Sequence, residues 1–182
     1  MAVWQKAFPV DPPLTMAVNL SGKQFLQMDL VRLITHIVAD TGIPPSSLKL
    51  EITESTIIED TEAVIELLLQ LKALGITIAI DDFGTGYSSL SYLHRLPIDA
   101  LKIDRSFVNA MTTEGSEIVR AIVGLAHNLG LDVIAEGVES AAQLQQLRAL
   151  GCEYGQGYLF SRPVDGSQAQ TLLAQTPAPG YV

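Results

Sequence analysis

Two adjacent carboxylates, Asp81 and Asp82, close the short apolar run Ile76 to Ile80, and Gly84, Gly86, Ser88 and Ser89 follow at once. Like charges held side by side repel, and the repulsion grows as the local dielectric falls. A cation compensates, and paired hard oxygens suit Mg²⁺ or Mn²⁺. The competing reading is a solvated strand end with a helix cap. Asn19, Glu51, Lys102, Glu136 and Gln156 each stand at or near the end of another short apolar segment. Asn19, Glu51 and Asp81 offer oxygen ligands, while Asp81 can bridge to a second ion that Asp82 completes. Two such ions about 3.5–4 Å apart can hold a phosphodiester, generate hydroxide and stabilise a leaving oxygen.

The remaining polar residues have roles that follow from that chemistry, each with a plainer reading beside it. Lys102 would face phosphate or the attacking water as a fixed cation, or else be a salt-bridged strand lysine. Glu136 would hold the water as a base or bind the second ion, or else serve the helix starting near Ser140. Gly137 beside it permits close backbone approach. Glu54, three residues past Glu51, reads as an acid at a loop exit that anchors Phe83 to Ser89, or as a solvated loop acid. Gly84 and Gly86 read as sources of unusual backbone angles. No Gly-Lys-Ser/Thr follows them, so this is not a P-loop.

The elements that must position these groups repeat. Leucine-rich stretches end at Gly75, Gly130 and Gly151, and each is followed within a few residues by a short strand ending in a polar side chain. Glycine at that place can take the left-handed conformation that closes a helix. Strands are expected over Leu14–Leu20, Leu48–Thr53, Ile76–Asp81, Ala100–Ile103, Leu131–Glu136 and Cys152–Gln156. Helices are expected over Lys23–Thr41, Thr61–Leu74, Ser89–Leu96, Ser116–Leu129, Ser140–Leu150 and Ser167–Gln175. Asp60 is a candidate N-cap, and Ser140 with Gln143 a capping box. Six strands with chemistry at their C-terminal ends give an α/β protein of parallel strands, laid out like a (β/α) barrel. An open doubly wound sheet also gathers ligands at strand C-termini, and spacing does not separate the two.

Composition bounds the rest. The chain has 182 residues, is 48% hydrophobic and carries a net charge of −9, with pI about 4.6 and mean hydropathy +0.29. It has no basic run, which argues against a nucleic acid polymer as partner. A small phosphate ligand stays open, since a metal brings the positive charge. Cys152 is the single cysteine, so there is no disulfide, and a buried thiol is expected. His36, His94 and His127 lack zinc spacing and read as helix-surface residues. Met1 to Pro13 has no apolar signal region, and no apolar run approaches membrane-spanning length. A soluble, cytoplasmic protein without a membrane partner is expected, with a frayed tail from Thr176 to Val182.

Six ordered segments resemble the EAL domains, the bacterial cyclic-di-GMP phosphodiesterases. They are Val18-Asn-Leu-Ser21, Glu51-Ile-Thr-Glu54-Ser55, Asp81-Asp-Phe-Gly-Thr-Gly-Tyr-Ser-Ser-Leu90, Leu101-Lys-Ile-Asp-Arg-Ser-Phe-Val108, Ala135-Glu-Gly-Val-Glu139 and Gly155-Gln-Gly-Tyr-Leu-Phe-Ser-Arg-Pro163. The resemblance runs from about Trp4 to Pro163. It implies a TIM-like (β/α) barrel that hydrolyses cyclic di-GMP to linear pGpG with two Mg²⁺ or Mn²⁺ ions. By motif, Asn19, Glu51 and Asp81 would be metal ligands and Asp82 would serve the second metal. Lys102 and Glu136 would work on the attacking water, and Gln156 would lie in the metal and substrate site. Glu54 and the Asp82–Ser89 loop would control metal affinity and dimer contacts, with Glu139 in support.

No Glu-Ala-Leu tripeptide occurs in the 182 residues, although the family is named for it. The resemblance therefore implies an incomplete barrel with about six of eight strands, lacking one ligand carboxylate and one substrate-contacting arginine. Residues 1–166 would form this truncated barrel domain, and 167–182 a C-terminal helix and flexible tail. Activity would be weak or absent in the isolated chain unless a homodimer or an upstream domain completes the barrel. The alternative is a non-catalytic cyclic-di-GMP sensor or protein-interaction module. Against it, clustered charges are costly to keep without a use.

Overall fold

A computed structural model of the chain describes residues 1–25, 29–58, 61–86, 93–111 and 116–175. They belong to two compact units: Met1–Ile80 with Ser89–Ile98, and Asp81–Ser88 with Asp99–Val182. The candidate N-cap Asp60, the start of the Ser89–Leu96 helix, the serines of the loop after Phe83 and the tail from Thr176 lie outside the described residues.

In the first unit, α1 (Ala2–Ala7) leads to β1 (Met16–Leu20), α2 (Gly22–Phe25), α3 (Leu30–Thr41), β2 (Leu48–Thr53), α4 (Glu54–Ile58) and α5 (Thr61–Ala73). β3 (Thr77–Phe83) begins here. The sequence periodicity explains α5: Val64, Leu68 and Leu71 fall on one face at helical spacing, and all three are buried. Each such side chain contributes about 1.5–3 kcal/mol when fully buried. β1 and β2 pair in parallel, with Asn19 opposite Glu51. Of the expected helix over Lys23–Thr41, α2 and α3 are described, and residues 26–28 between them lie outside the described residues.

The second unit takes the last residues of β3 and continues through β4 (Ala100–Ile103), α6 (Arg105–Asn109), α7 (Ser116–Asn128), β5 (Asp132–Glu136), α8 (Ala141–Leu150), β6 (Tyr154–Gln156) and α9 (Gly166–Gln175). Val119, Ile122, Val123 and Ala126 form the buried stripe of α7. All four β4 residues are buried, as expected of a parallel strand covered on both faces. β4 pairs in parallel with β5, and β5 with β6, which sets Glu136 opposite Gln156. Ser140 and Gln143 form the anticipated capping box.

Strand order in the sheet is β1 to β6, following the sequence without reversal. A doubly wound sheet reverses its order at a switch point; a barrel does not. The chain is thus an α/β protein of the TIM-like (β/α) barrel class, and its described residues supply six strands where a complete barrel has eight. The helix-closing glycines Gly75, Gly130 and Gly151 all have positive φ, at 86°, 71° and 86°.

Candidate active site

The second unit gathers the titratable groups of three strand ends. Asp81, Asp82 and Glu136 each present a carboxylate oxygen, and these atoms lie within 4.8 Å of one another. Lys102 enters from β4 with 2% of its side chain exposed. Its Nζ donates to Asp81 Oδ1 at 2.7 Å and meets Glu136 Oε1 at 2.5 Å. A buried ammonium without counter-charges costs several kcal/mol, so the two acids are what allow a lysine at this place. The salt-bridged alternative for Lys102 and its place beside the acids are therefore one arrangement.

The cluster is short of positive charge. Burial, then the charges of Asp81 and Asp104 and a hydrogen bond with Asp104, push the Asp82 carboxyl above its ordinary value, against the pull of Lys102. Burial likewise pushes Glu136 up; Lys102 opposes this, while Asp81 and Asp82 add to it. Three hard-oxygen donors, two of them reluctant to ionise, fit a divalent cation of the Mg²⁺ or Mn²⁺ kind. Asp82 also has φ +54°, a left-handed conformation that is uncommon outside glycine and that Asp and Asn tolerate best.

Asp104 is the residue that the motif reading left without a role. It lies two positions past Lys102, and strand alternation turns i and i+2 to one face, which is the signal that could have found it. Its Oδ1 caps α6 by accepting from the Ser106 backbone N–H at 2.9 Å and from the Ser106 hydroxyl. Burial pushes Asp104 up, but these hydrogen bonds, the Arg105 N–H and the Arg105 charge outweigh it and hold the carboxyl below its ordinary value.

Glycines let the strand ends close up. Gly137 has φ +68°, and a Cβ there would stand 2.6 Å from Arg105 Cβ. Gly157, just past Gln156, is tighter: a Cβ would lie 2.2 Å from the Val138 carbonyl oxygen. Val138 N–H donates to Gln156 O at 3.0 Å, and Leu159 N–H to Val138 O at 2.9 Å. Gln156 itself is exposed. Glu139 is also exposed, with its backbone N–H donating to Gln143 Oε1 at 2.8 Å beside the capping box.

In the first unit, Asn19 and Glu51 are register partners near the ends of β1 and β2. Asn19 is exposed, whereas Glu51 is 6% exposed and Glu54 4%. Glu54 is not a solvated loop acid: it opens α4 directly after β2. A helix of five residues gives periodicity too little to work with, so the sequence reads as a loop there.

The EAL domain family model matches residues 1–163, and the chain belongs to the EAL-domain family. It is 48% identical over 161 residues to MucR of Pseudomonas aeruginosa, a bifunctional diguanylate cyclase/cyclic di-GMP phosphodiesterase, covering 87% of this chain and 24% of MucR. It is 46% identical over 162 residues to the cyclic di-GMP phosphodiesterase NbdA of the same organism, covering 88% of this chain and 21% of NbdA. The chain thus spans less than a quarter of the length of these curated relatives. The solved MucR phosphodiesterase, in complex with cyclic di-GMP, superposes with a TM-score of 0.87 at 45% identity, over 93% of this chain and 68% of that one. A manganese and cyclic-di-GMP complex of Klebsiella pneumoniae BlrP1 gives 0.78 at 32% identity, over 89% and 42%. Among the described residues, no helix is long and apolar enough to cross a membrane.

Proposed function

We propose that this chain is a metal-dependent cyclic-di-GMP phosphodiesterase domain, which opens the cyclic dinucleotide to linear pGpG by a two-metal mechanism. The observation that carries the reading is the carboxylate cluster of Asp81, Asp82 and Glu136 around the buried Lys102. Support comes from family membership and from relatives that are themselves cyclic-di-GMP phosphodiesterases. Asp81 and Asp82 would hold Mg²⁺ or Mn²⁺. Asn19 and Glu51 are proposed as further ligands, with Gln156, Glu54 and Glu139 in support, on the family resemblance.

When bound, the ions supply the positive charge that a phosphodiester and an ionising water both need. The chain's own residues do the rest. Glu136, with its raised pKa and its contact to Lys102, accepts a proton from the attacking water as the new P–O bond forms. The P–O3′ bond breaks, and the 3′-oxygen leaves with a proton, giving a 5′-phosphate on the linear product. Lys102, fixed between Asp81 and Glu136, aims both carboxylates and offsets the charge that builds up in the transition state.

We infer weak turnover from the 182 residues alone, because they contain no Glu-Ala-Leu carboxylate; a homodimer or an upstream segment that supplied one would raise it. That same absence favours the second reading, a domain that binds cyclic di-GMP without cleaving it. Incubation with Mn²⁺ and cyclic di-GMP, followed by chromatography for pGpG, tests the proposal. Slow product formation that Asp81→Ala abolishes is expected. Binding with no product over hours would replace the enzymatic reading with the sensor one.

A further inference from the structure

We propose that Arg105 is the positioning residue that receives a phosphodiester of the ligand beside the carboxylate cluster, an inference that rests on the cyclic-di-GMP reading above. The cluster and its neighbour Asp104 bring four carboxylates to one place, in a chain whose net charge is −9. Lys102 cannot meet an incoming anion without leaving them, since it is buried and ion-paired to Asp81 and Glu136 of the cluster. Arg105 differs in each respect. It directly follows Asp104 and is exposed, and among the described residues it makes no salt bridge.

Its position is also held. The Arg105 Cβ packs over Gly137, where any side chain would come within 2.6 Å of it. Gly137 in turn follows Glu136, so the glycine fixes the arginine stem against the strand end that carries the cluster. The Arg105 charge reaches Asp104, where it helps hold that carboxyl ionised. A planar guanidinium presents a donor fork that matches two phosphate oxygens. Placed next to acids that would otherwise repel a dianionic dinucleotide, it gives the ligand a point of attachment outside the metal ligands.

Calorimetric titration of cyclic di-GMP in Ca²⁺, at low and high NaCl, tests this on wild type, Arg105→Gln and Arg105→Lys. Gln keeps the stem that packs on Gly137 and removes the charge, so melting temperatures should agree across the three proteins. Arg105→Gln is expected to weaken binding at least about tenfold, as loss of a charged hydrogen bond does, and to flatten the salt dependence. Arg105→Lys is expected to recover most of the affinity, and in turnover assays Gln should raise KM more than it lowers kcat. An Arg105→Gln protein that binds within about twofold of wild type overturns the inference and leaves the cyclic-di-GMP reading standing. A wild type that does not bind overturns that reading, and this inference with it.

Discussion

The two ends of β5 each carry a carboxylate from the strand or a neighbouring element, and they treat it differently. At the start, Glu153 is fully engaged: Oε2 accepts the Val133 N–H at 2.8 Å and Oε1 faces His127 Nε2 at 2.8 Å. Beside it Cys152 is buried, and burial pushes its thiol up to about 11, so it is the inert structural thiol that the sequence suggested. At the end of the same strand, Glu136 shares one lysine with Asp81, and Asp82 crowds in. One end satisfies its charges and contributes stability. The other leaves its acids under-compensated, which is the state a cation-binding and proton-accepting site needs. Barrel proteins divide labour between their two faces in this way.

The sharpest way to break the comparison is to remove the cation of the strained end. Lys102→Met keeps the volume and leaves Asp81 and Glu136 facing each other. Breaking a buried pair costs about 3–5 kcal/mol, and the partial exposure of both acids lowers the expectation to about 2–4 kcal/mol. Urea unfolding without metal should show that loss, and Mn²⁺ should restore part of it by replacing the missing charge. Turnover should fall at least about a hundredfold. If unfolding were unchanged by the substitution, the lysine would not be what holds the acids together.

The satisfied end gives the middle-sized effect. Glu153→Ala removes the acceptor of a backbone N–H on Val133, a residue with no solvent exposure. An orphaned buried donor costs about 1–3 kcal/mol, so stability should drop by that amount in urea while pGpG formation, measured below the unfolding range, stays at the wild-type rate. A loss of turnover without a loss of stability would erase the division between the two ends.

Much of this contrast was legible in the sequence, because strand ends are marked by residues whose type is costly anywhere else. Lys102 within an apolar four-residue strand and the pair Asp81–Asp82 after the apolar run from Ile76 point at one another once the strands are parallel. Gly75, Gly130 and Gly151 announced their left-handed helix ends, and Ser140 with Gln143 its cap. What stayed hidden is what one-dimensional patterning does not encode. α4 and α6 have five residues each, too few to show a period. Asp104 had no reading of its own; it caps the helix at Arg105, and its second role beside Asp82 depends on where β4 ends in space. The histidines show the same limit: His36 and His127 do lie on helix surfaces, each facing an acid, while His94 sits in a turn.

The smallest predicted effect is the most direct reading of the strained end. Folding raises the Asp82 pKa above its unfolded value of 3.8, so the folded state binds that proton more tightly than the unfolded chain. The stability this contributes is fully present below the unfolded value and is lost as pH rises through the folded one. Asp82→Asn removes the ionisable group and keeps a side chain that tolerates the +54° backbone. Without metal, the variant should therefore be slightly more stable than wild type at neutral pH, the effect being reduced by solvent screening. The gap should close as pH falls through the ordinary carboxylate range. Adding Mn²⁺ at neutral pH should reverse the order, because wild type gains the cation and the variant gains less of it. Such a residue is kept for what it binds, at a cost to the empty fold; an Asp82→Asn variant less stable than wild type in metal-free buffer would show that Asp82 belongs with the satisfied end instead.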